Sequence, residues 1–206
     1  MTVRRFDIPS RVPVSRLREI ASISDAAYTL IYTNPMELKW VDLGLERMLQ
    51  VASYTGAAML YADHFRSEEG GVFPHPLIDL QEGALRDDFD FGGVQLYRTD
   101  ALRTAVAQMD EDYEYAGLYD LRLRVSRLGR IVHINEFLYY EVELDTRKSG
   151  EKLFDYVDPR NRAVQIEMEK ACTAHLKAVG GYLRPEFKSV DLSGGGDFEH
   201  EASVVI

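Results

Sequence analysis

Residues 115–141 read Tyr-Ala-Gly-Leu-Tyr-Asp-Leu-Arg-Leu-Arg-Val-Ser-Arg-Leu-Gly-Arg-Ile-Val-His-Ile-Asn-Glu-Phe-Leu-Tyr-Tyr-Glu. Leu118, Leu121, Val125 and Leu128 recur at spacings of three and four, which predicts a helix with one buried face, and Gly129 stands where a left-handed C-cap is wanted. Arg130 to Ile134 predicts a short strand, Asn135-Glu136 a turn, and Phe137 to Val142 a second extended piece. Helix, strand, strand is the order this segment imposes. Arg122 and Arg124 fall on the polar face of the helix, as ion-pair partners.

Toward the amino end, Tyr28 to Tyr32 is rich in β-formers without polar alternation, which predicts a strand buried on both faces and closed by Asn34-Pro35. Val41, Leu45, Met48, Leu49 and Ala52 mark one stripe of a helix over 42–55, Gly56 lies past its end, and Ala57 to Ala62 predicts the next strand. Strand, helix, strand in this rhythm implies a parallel unit whose functional groups sit at the carboxyl ends of the strands, Thr33-Asn34-Pro35 and Asp63-His64. Ahead of it, Val3 to Asp7 predicts a short strand, and Ser15 is placed to cap a helix whose Leu17, Ile20 and Ala21 face inward. Phe65 to Gln81 reads as a loop with room for a small hairpin over the sheet edge. Val94 to Tyr97 predicts a strand, and Thr99 or Asp100 caps a helix running through Met109.

Past Tyr140, residues 141–150 are mixed charge and turn. Asp158-Pro159 has the form of a helix start, Val164, Met168, Ala171, Cys172, His175, Leu176 and Val179 form the apolar face, and Gly180-Gly181 stops the helix. The Ser-Gly-Gly-Gly-Asp at 193–197 marks 187–200 as a linker, and 201–206 as the beginning of a strand.

With 206 residues, 46% of them hydrophobic, the chain has material for one large domain. A formal charge of -10 with no long basic run argues against duplex nucleic acid as a partner, and none is expected. Cys172 is the single cysteine, so there is no internal disulfide and no thiolate-rich zinc site. No apolar run approaches the ~20 residues of a membrane span, and residues 1–15 hold no apolar signal core, so the expectation is a soluble cytoplasmic protein. No dinucleotide-type glycine fingerprint, P-loop or nucleophile elbow is present.

The blocks "ERMLQVASYTGAAMLYADHF", "RDDFDFGG", "GLYDLRLRVSRLGRIVHINEFLYYEVE" and "RKSGEKLFDYVDPRNRAVQIEMEKACTAHLK" resemble family 2 glycosyltransferases, in particular the amino-terminal domain of large two-module bacterial enzymes. The resemblance covers most of residues 15–180. It implies an α/β fold of GT-A type, a Rossmann-like mixed sheet flanked by helices. The first βαβ unit is expected to be missing, because only a few residues precede the helix at 16. Residues 1–186 would then form a partial GT-A-like domain, 187–200 a linker, and 201–206 the start of a truncated second transferase domain. The function implied is transfer of a sugar, or help in transferring it, from a nucleotide-sugar to a glycan acceptor in surface polysaccharide biosynthesis, with a second glycosyltransferase domain as partner. The alternative is a catalytically degenerate module that binds acceptor or docks against an active neighbour.

Such domains use a D-x-D motif to hold the divalent cation that neutralises the leaving diphosphate. The resemblance makes Tyr28–Tyr32 the strand leading to that motif, and the matching position reads Thr33-Asn34-Pro35, without a carboxylate. No metal ligands are therefore assigned, and Mn or Mg enters only if the domain is catalytically active. The acidic pair that family members carry ahead of the D-L-x-L-R aspartate is Gly117-Leu118 here. Asp120 remains, as general base or as a partner of the helix N-terminus, and Asp63 at a strand end is the other catalytic candidate. Asp63 and His64 with His75 and Asp79 match no helix-borne metal motif. Arg86, Asp87, Asp88 and Asp90, set around Phe89 and Phe91, suit hydrogen bonds to sugar hydroxyls and equally suit loop caps in a solvated cluster. Trp40, just past the strand end, offers a ring for a sugar to stack on.

Overall fold

The computed structural model describes residues 1–9, 11–142 and 162–186. In chain order the elements are β1 (Val3–Asp7), α1 (Val14–Ile23), β2 (Tyr28–Tyr32), β3 (Glu37–Trp40), α2 (Gly44–Thr55), β4 (Met59–Glu68), β5 (Gly71–His75), β6 (Val94–Arg98), α3 (Thr99–Ala107), α4 (Gly117–Val125), β7 (Ile131–Val142) and α5 (Arg162–Ala178). The Asp158-Pro159 helix start, residues 143–150, the linker at 187–200 and the strand start at 201–206 lie outside the described residues.

One mixed sheet runs β1-β2-β6-β4-β7-β3, with β5 on the outer part of β4. All five residues of β2 are buried, as expected of an apolar strand covered on both faces. β2 and β4 share a direction, but they are not neighbours. β6 lies between them and pairs antiparallel with both, Leu96 standing opposite Leu30 on one side and Leu60 on the other. A strand that arrives later in sequence leaves no mark in the local rhythm that predicted an adjacent pair. The few residues ahead of α1 supply one parallel strand, β1, in register from Val3 opposite Tyr28 to Asp7 opposite Tyr32.

Two apolar layers hold the sheet. α2 covers one face, where Met48 and Ala52 pack with Leu30, Leu60, Leu96 and Tyr139. On the other face α1, α3 and α4 enclose Leu17, Ile20, Leu102, Val106, Leu121 and Val125, with Met168, Ala171 and Cys172 of α5 laid against the outside of α4.

Four expectations need correction. α1 starts at Val14 with extended Pro13 as its N-cap and no side-chain cap, so Ser15 is already helical; the ring sets Pro13 at φ −71 and the chain enters the helix a residue early. Gly129 is not left-handed. It lets the chain pass Ala58, whose Cβ would lie 3.1 Å from a Cβ at 129. Asn135-Glu136 makes no reversal, because β7 is a single strand; between Ala62 opposite Ile134 and Asp63 opposite Phe137, the two residues are accommodated as a bulge. α4 has no solvent-facing polar side, since Tyr119, Asp120, Arg122 and Arg124 are buried along with its leucines.

That burial leaves the amino end of α4 in need of acceptors, and Glu167 of α5 supplies them. Its carboxylate takes the N–H groups of Glu114, Tyr115 and Ala116 at 3.1, 2.7 and 3.1 Å. A helix N-terminus thus gets its cap from another helix, with charge suited to the macrodipole. Replacing Glu167 by Ala should lower the unfolding free energy by about 2 kcal/mol, read by urea denaturation, and Glu167→Gln, which still accepts, should lose less.

Candidate functional site

A cavity of about 460 Å³ opens where the end of β2, the segment ahead of β6 and the first turns of α4 meet. The turn after β2 brings Thr33, the 87–92 segment brings three aspartates and two phenylalanines, β6 brings Gln95, α4 brings Leu118, Tyr119 and Arg122 with Tyr115 just ahead of it, and α5 adds Met168. Gly92 at φ +65 turns this segment under the cavity, against the Tyr139 hydroxyl and 3.2 Å from His64 Nδ1 as measured from a Cβ built there. Only a residue without Cβ makes that turn at no steric cost.

Arg122 forms the inner wall. The residue is 5% exposed. One terminal nitrogen donates to the Arg86 carbonyl at 2.7 Å, and the guanidinium lies over the rings of Tyr119 and Phe91, 4.9 and 5.6 Å from their centroids. The other terminal nitrogen, Nη1, is buried without a hydrogen-bond partner. Burial pulls the Arg122 pKa down, only partly offset by Tyr119 and other neighbours, so the charge is held at a desolvation cost.

The rim is acidic. Arg86 and Asp88, both exposed, pair through two hydrogen bonds of 2.9 and 3.0 Å, which holds the Asp88 carboxyl below its ordinary value. Burial would raise Asp90, but its bonds to His75 Nε2 at 2.9 Å and the Gly92 N–H at 2.8 Å prevail and lower it. Asp87 has no hydrogen bond or ion pair among the described residues, and its carboxylate is free to face a ligand.

Beneath the cavity lies Glu141, 1% exposed. It accepts from Asn34 Nδ2 at 2.6 Å and from the Gly93 N–H at 3.0 Å. His64 Nε2 stands 3.3 Å away, in ion-pair reach but not aligned as a hydrogen bond, and its ring stacks on Tyr139. The position matching a D-x-D motif is therefore occupied by an amide already committed to Glu141. A hard divalent cation wants several ionised oxygens, and this donor set does not fit one. Among the described residues no group of three or more His, Cys, Asp or Glu side chains is placed to hold a metal ion.

The fold has a solved likeness. The chain is similar to residues 1–349 of S. aureus TarS, a GT-A-type glycosyltransferase, at TM-score 0.52 and 12% identity over 81% of this chain. The sheet is GT-A-like. The match spans 45% of that TarS chain, less than half its length. No protein-family model matches the chain, and neither does any curated protein sequence. On the GT-A-like frame, the cavity lies beside the end of β2, next to Thr33.

Asp87, Asp88 and Asp90 come together at this cavity, and Arg86 stands behind Asp88. The other named residues lie elsewhere. Trp40, on β3, meets Tyr139 edge to face at 6.0 Å. Asp63, 1% exposed, accepts from the Leu77 N–H at 2.7 Å and faces His133 Nε2 at 2.8 Å, under the β4–β5 hairpin; His133 Nδ1 meets Asp79 at 2.8 Å. Asp120 points to the α3 side of α4, where Arg124 Nε reaches both of its oxygens at 3.0 and 2.9 Å, and Arg124 also donates to the Gln108 carbonyl. The sequence reading passed over Arg122 as a surface ion-pair residue and placed Glu141 at the start of a turn. The cue for Arg122 was its place, three residues past Tyr119, on a helix with aromatic neighbours.

Burial pushes the Asp120 carboxyl above its ordinary value of 3.8 in spite of Arg124. With the folded pKa above the unfolded one, the contribution of Asp120 to stability is complete below the unfolded value and falls as pH rises through the folded one. Relative to the parent, Asp120→Asn should therefore gain stability as pH climbs through that acid window and level off above it, as urea midpoints across the acid range would show.

Proposed function

We propose that the chain is a GT-A-like module of a family 2 glycosyltransferase that holds the glycan acceptor, while a second transferase module carries the transfer in bacterial surface polysaccharide synthesis. One observation supports this reading above the rest: Asn34, at the metal-motif position, is hydrogen-bonded to a buried Glu141. Without an ionised ligand there, the cation that offsets the diphosphate charge lacks a seat, and Gly117-Leu118 offers no general base. The cavity keeps what binding needs. Asp87 and Asp90 present acceptors to sugar hydroxyls, Arg86 fixes Asp88 beside them, and Tyr119, Phe89 and Phe91 give apolar faces. Sugars combine both kinds of surface, and a pocket of this sort recognises them through a few placed polar groups on aromatic walls.

A catalytic reading has its own support in Asp87, an unpaired carboxylate at the cavity with the freedom to take a proton from an acceptor hydroxyl. On that reading Asp63 and Asp120 act as supports, since both are buried in fixed pairs. Calorimetric titration separates the two. The binding module should take up an oligosaccharide acceptor and show no metal-dependent uptake of UDP-glucose; UDP-glucose binding that appears only with Mn²⁺ would establish a donor site and overturn the proposal.

A further inference from the structure

We infer that the cavity selects an acidic sugar, the carboxylate of a uronic acid lying against Arg122 with the ring hydroxyls turned to the aspartate rim. The inference rests on the glycan-binding reading above and names the class of sugar.

Among the described residues that line the cavity Arg122 is the only cation, it is 5% exposed, and its Nη1 has no hydrogen-bond partner. A buried guanidinium with a vacant N–H is costly unless something else satisfies it. Its neighbours do not: the Arg86 carbonyl takes one nitrogen, and Tyr119 and Phe91 offer ring faces only. An anionic oxygen from a ligand would satisfy both the charge and the open donor, and a planar carboxylate matches the planar guanidinium.

Charge counting selects the kind of anion. Of the three rim acids, Asp88 is offset by Arg86 and Asp90 meets His75, while Asp87 stands unpaired. Arg122 and the unpaired Asp87 both line the cavity, and Asp87 acts on the Arg122 charge without a hydrogen bond to it. A diphosphate or a phosphate dianion would bring more negative charge than a single arginine offsets, next to an acidic rim and with no metal seat. A uronic acid brings one negative charge at one end and hydroxyl donors at the other, and this polarity runs the same way as the cavity, from Arg122 inside to Asp87 and Asp90 outside. Its apolar ring face meets Tyr119 and the two phenylalanines.

The test uses the full chain and a matched pair, 4-nitrophenyl β-glucuronide and 4-nitrophenyl β-glucoside, which differ at C6 in carboxylate against hydroxymethyl. On the unaltered protein, calorimetry should show the glucuronide bound at least tenfold more tightly. Arg122→Gln should remove the preference, and Arg122→Lys should keep part of it, with circular dichroism confirming that each variant folds. Equal binding of the two glycosides, or a preference that survives in folded Arg122→Gln, overturns the inference and leaves the glycan-binding reading intact. Binding of neither glycoside overturns both. Glucose 1-phosphate bound more tightly than the glucuronide, in a manner lost with Arg122→Gln, identifies a phosphate site and overturns the acidic-sugar inference. Because the matched pair is read first on the unaltered chain, the outcome does not depend on whether a variant folds.

Discussion

Glu141 is buried beside the end of β2 and the start of β6, and a carboxylate in that position must be neutralised or fully hydrogen-bonded. The Asn34 amide just past β2, the Gly93 N–H just ahead of β6 and the His64 ring on β4 all converge on it. This one side chain on β7 therefore ties the end of β2 and the start of β6 to the middle of β4. The tie demands glycine at 93, where a Cβ would overlap Glu141 and come within 2.7 Å of Tyr32, and it fixes the floor of the cavity.

The wall opposite follows from the burial of α4. Once α5 and the 85–91 segment cover both flanks of that helix, each polar side chain on it requires an internal partner. Asp120 and Arg124 find each other, i to i+4, with the Gln108 carbonyl as a further acceptor. The helix end finds Glu167. Arg122 alone retains an open donor, and it is the member of the set that borders the cavity.

Much of this arrangement was legible in the sequence where local chemistry dominates. The buried run Tyr28–Tyr32 and the stripe of Met48 and Ala52 ending at left-handed Gly56 follow from periodicity and capping, and the structure carries both; α3 instead starts at Thr99 with Arg98 as its N-cap, no side-chain cap, and an end at Ala107. The failures share a cause. The insertion of β6 between β2 and β4, the bulge at Asn135-Glu136 and the enclosure of α4 all depend on segments distant in sequence. Periodicity counted leucines on α4 and assigned its arginines to solvent by default, yet a long amphipathic side chain is as easily buried by a helix that arrives 40 residues later (Arg122 to Arg162). The acidic rim was legible as composition, but its division into the paired Asp88 and Asp90 and the unpaired Asp87 needed coordinates.

Position on the sheet sets the charges that border the cavity. At the strand end Asn34 is held by the buried Glu141 carboxylate, and α4 carries the cation in Arg122. The cavity therefore runs from a buried guanidinium on α4 to the exposed carboxylates of Asp87, Asp88 and Asp90, on a GT-A-like frame. A ligand placed by that fixed internal charge would set an anionic group toward α4 and hydroxyl donors toward the 87–90 rim, because each end of the cavity favours the opposite polarity.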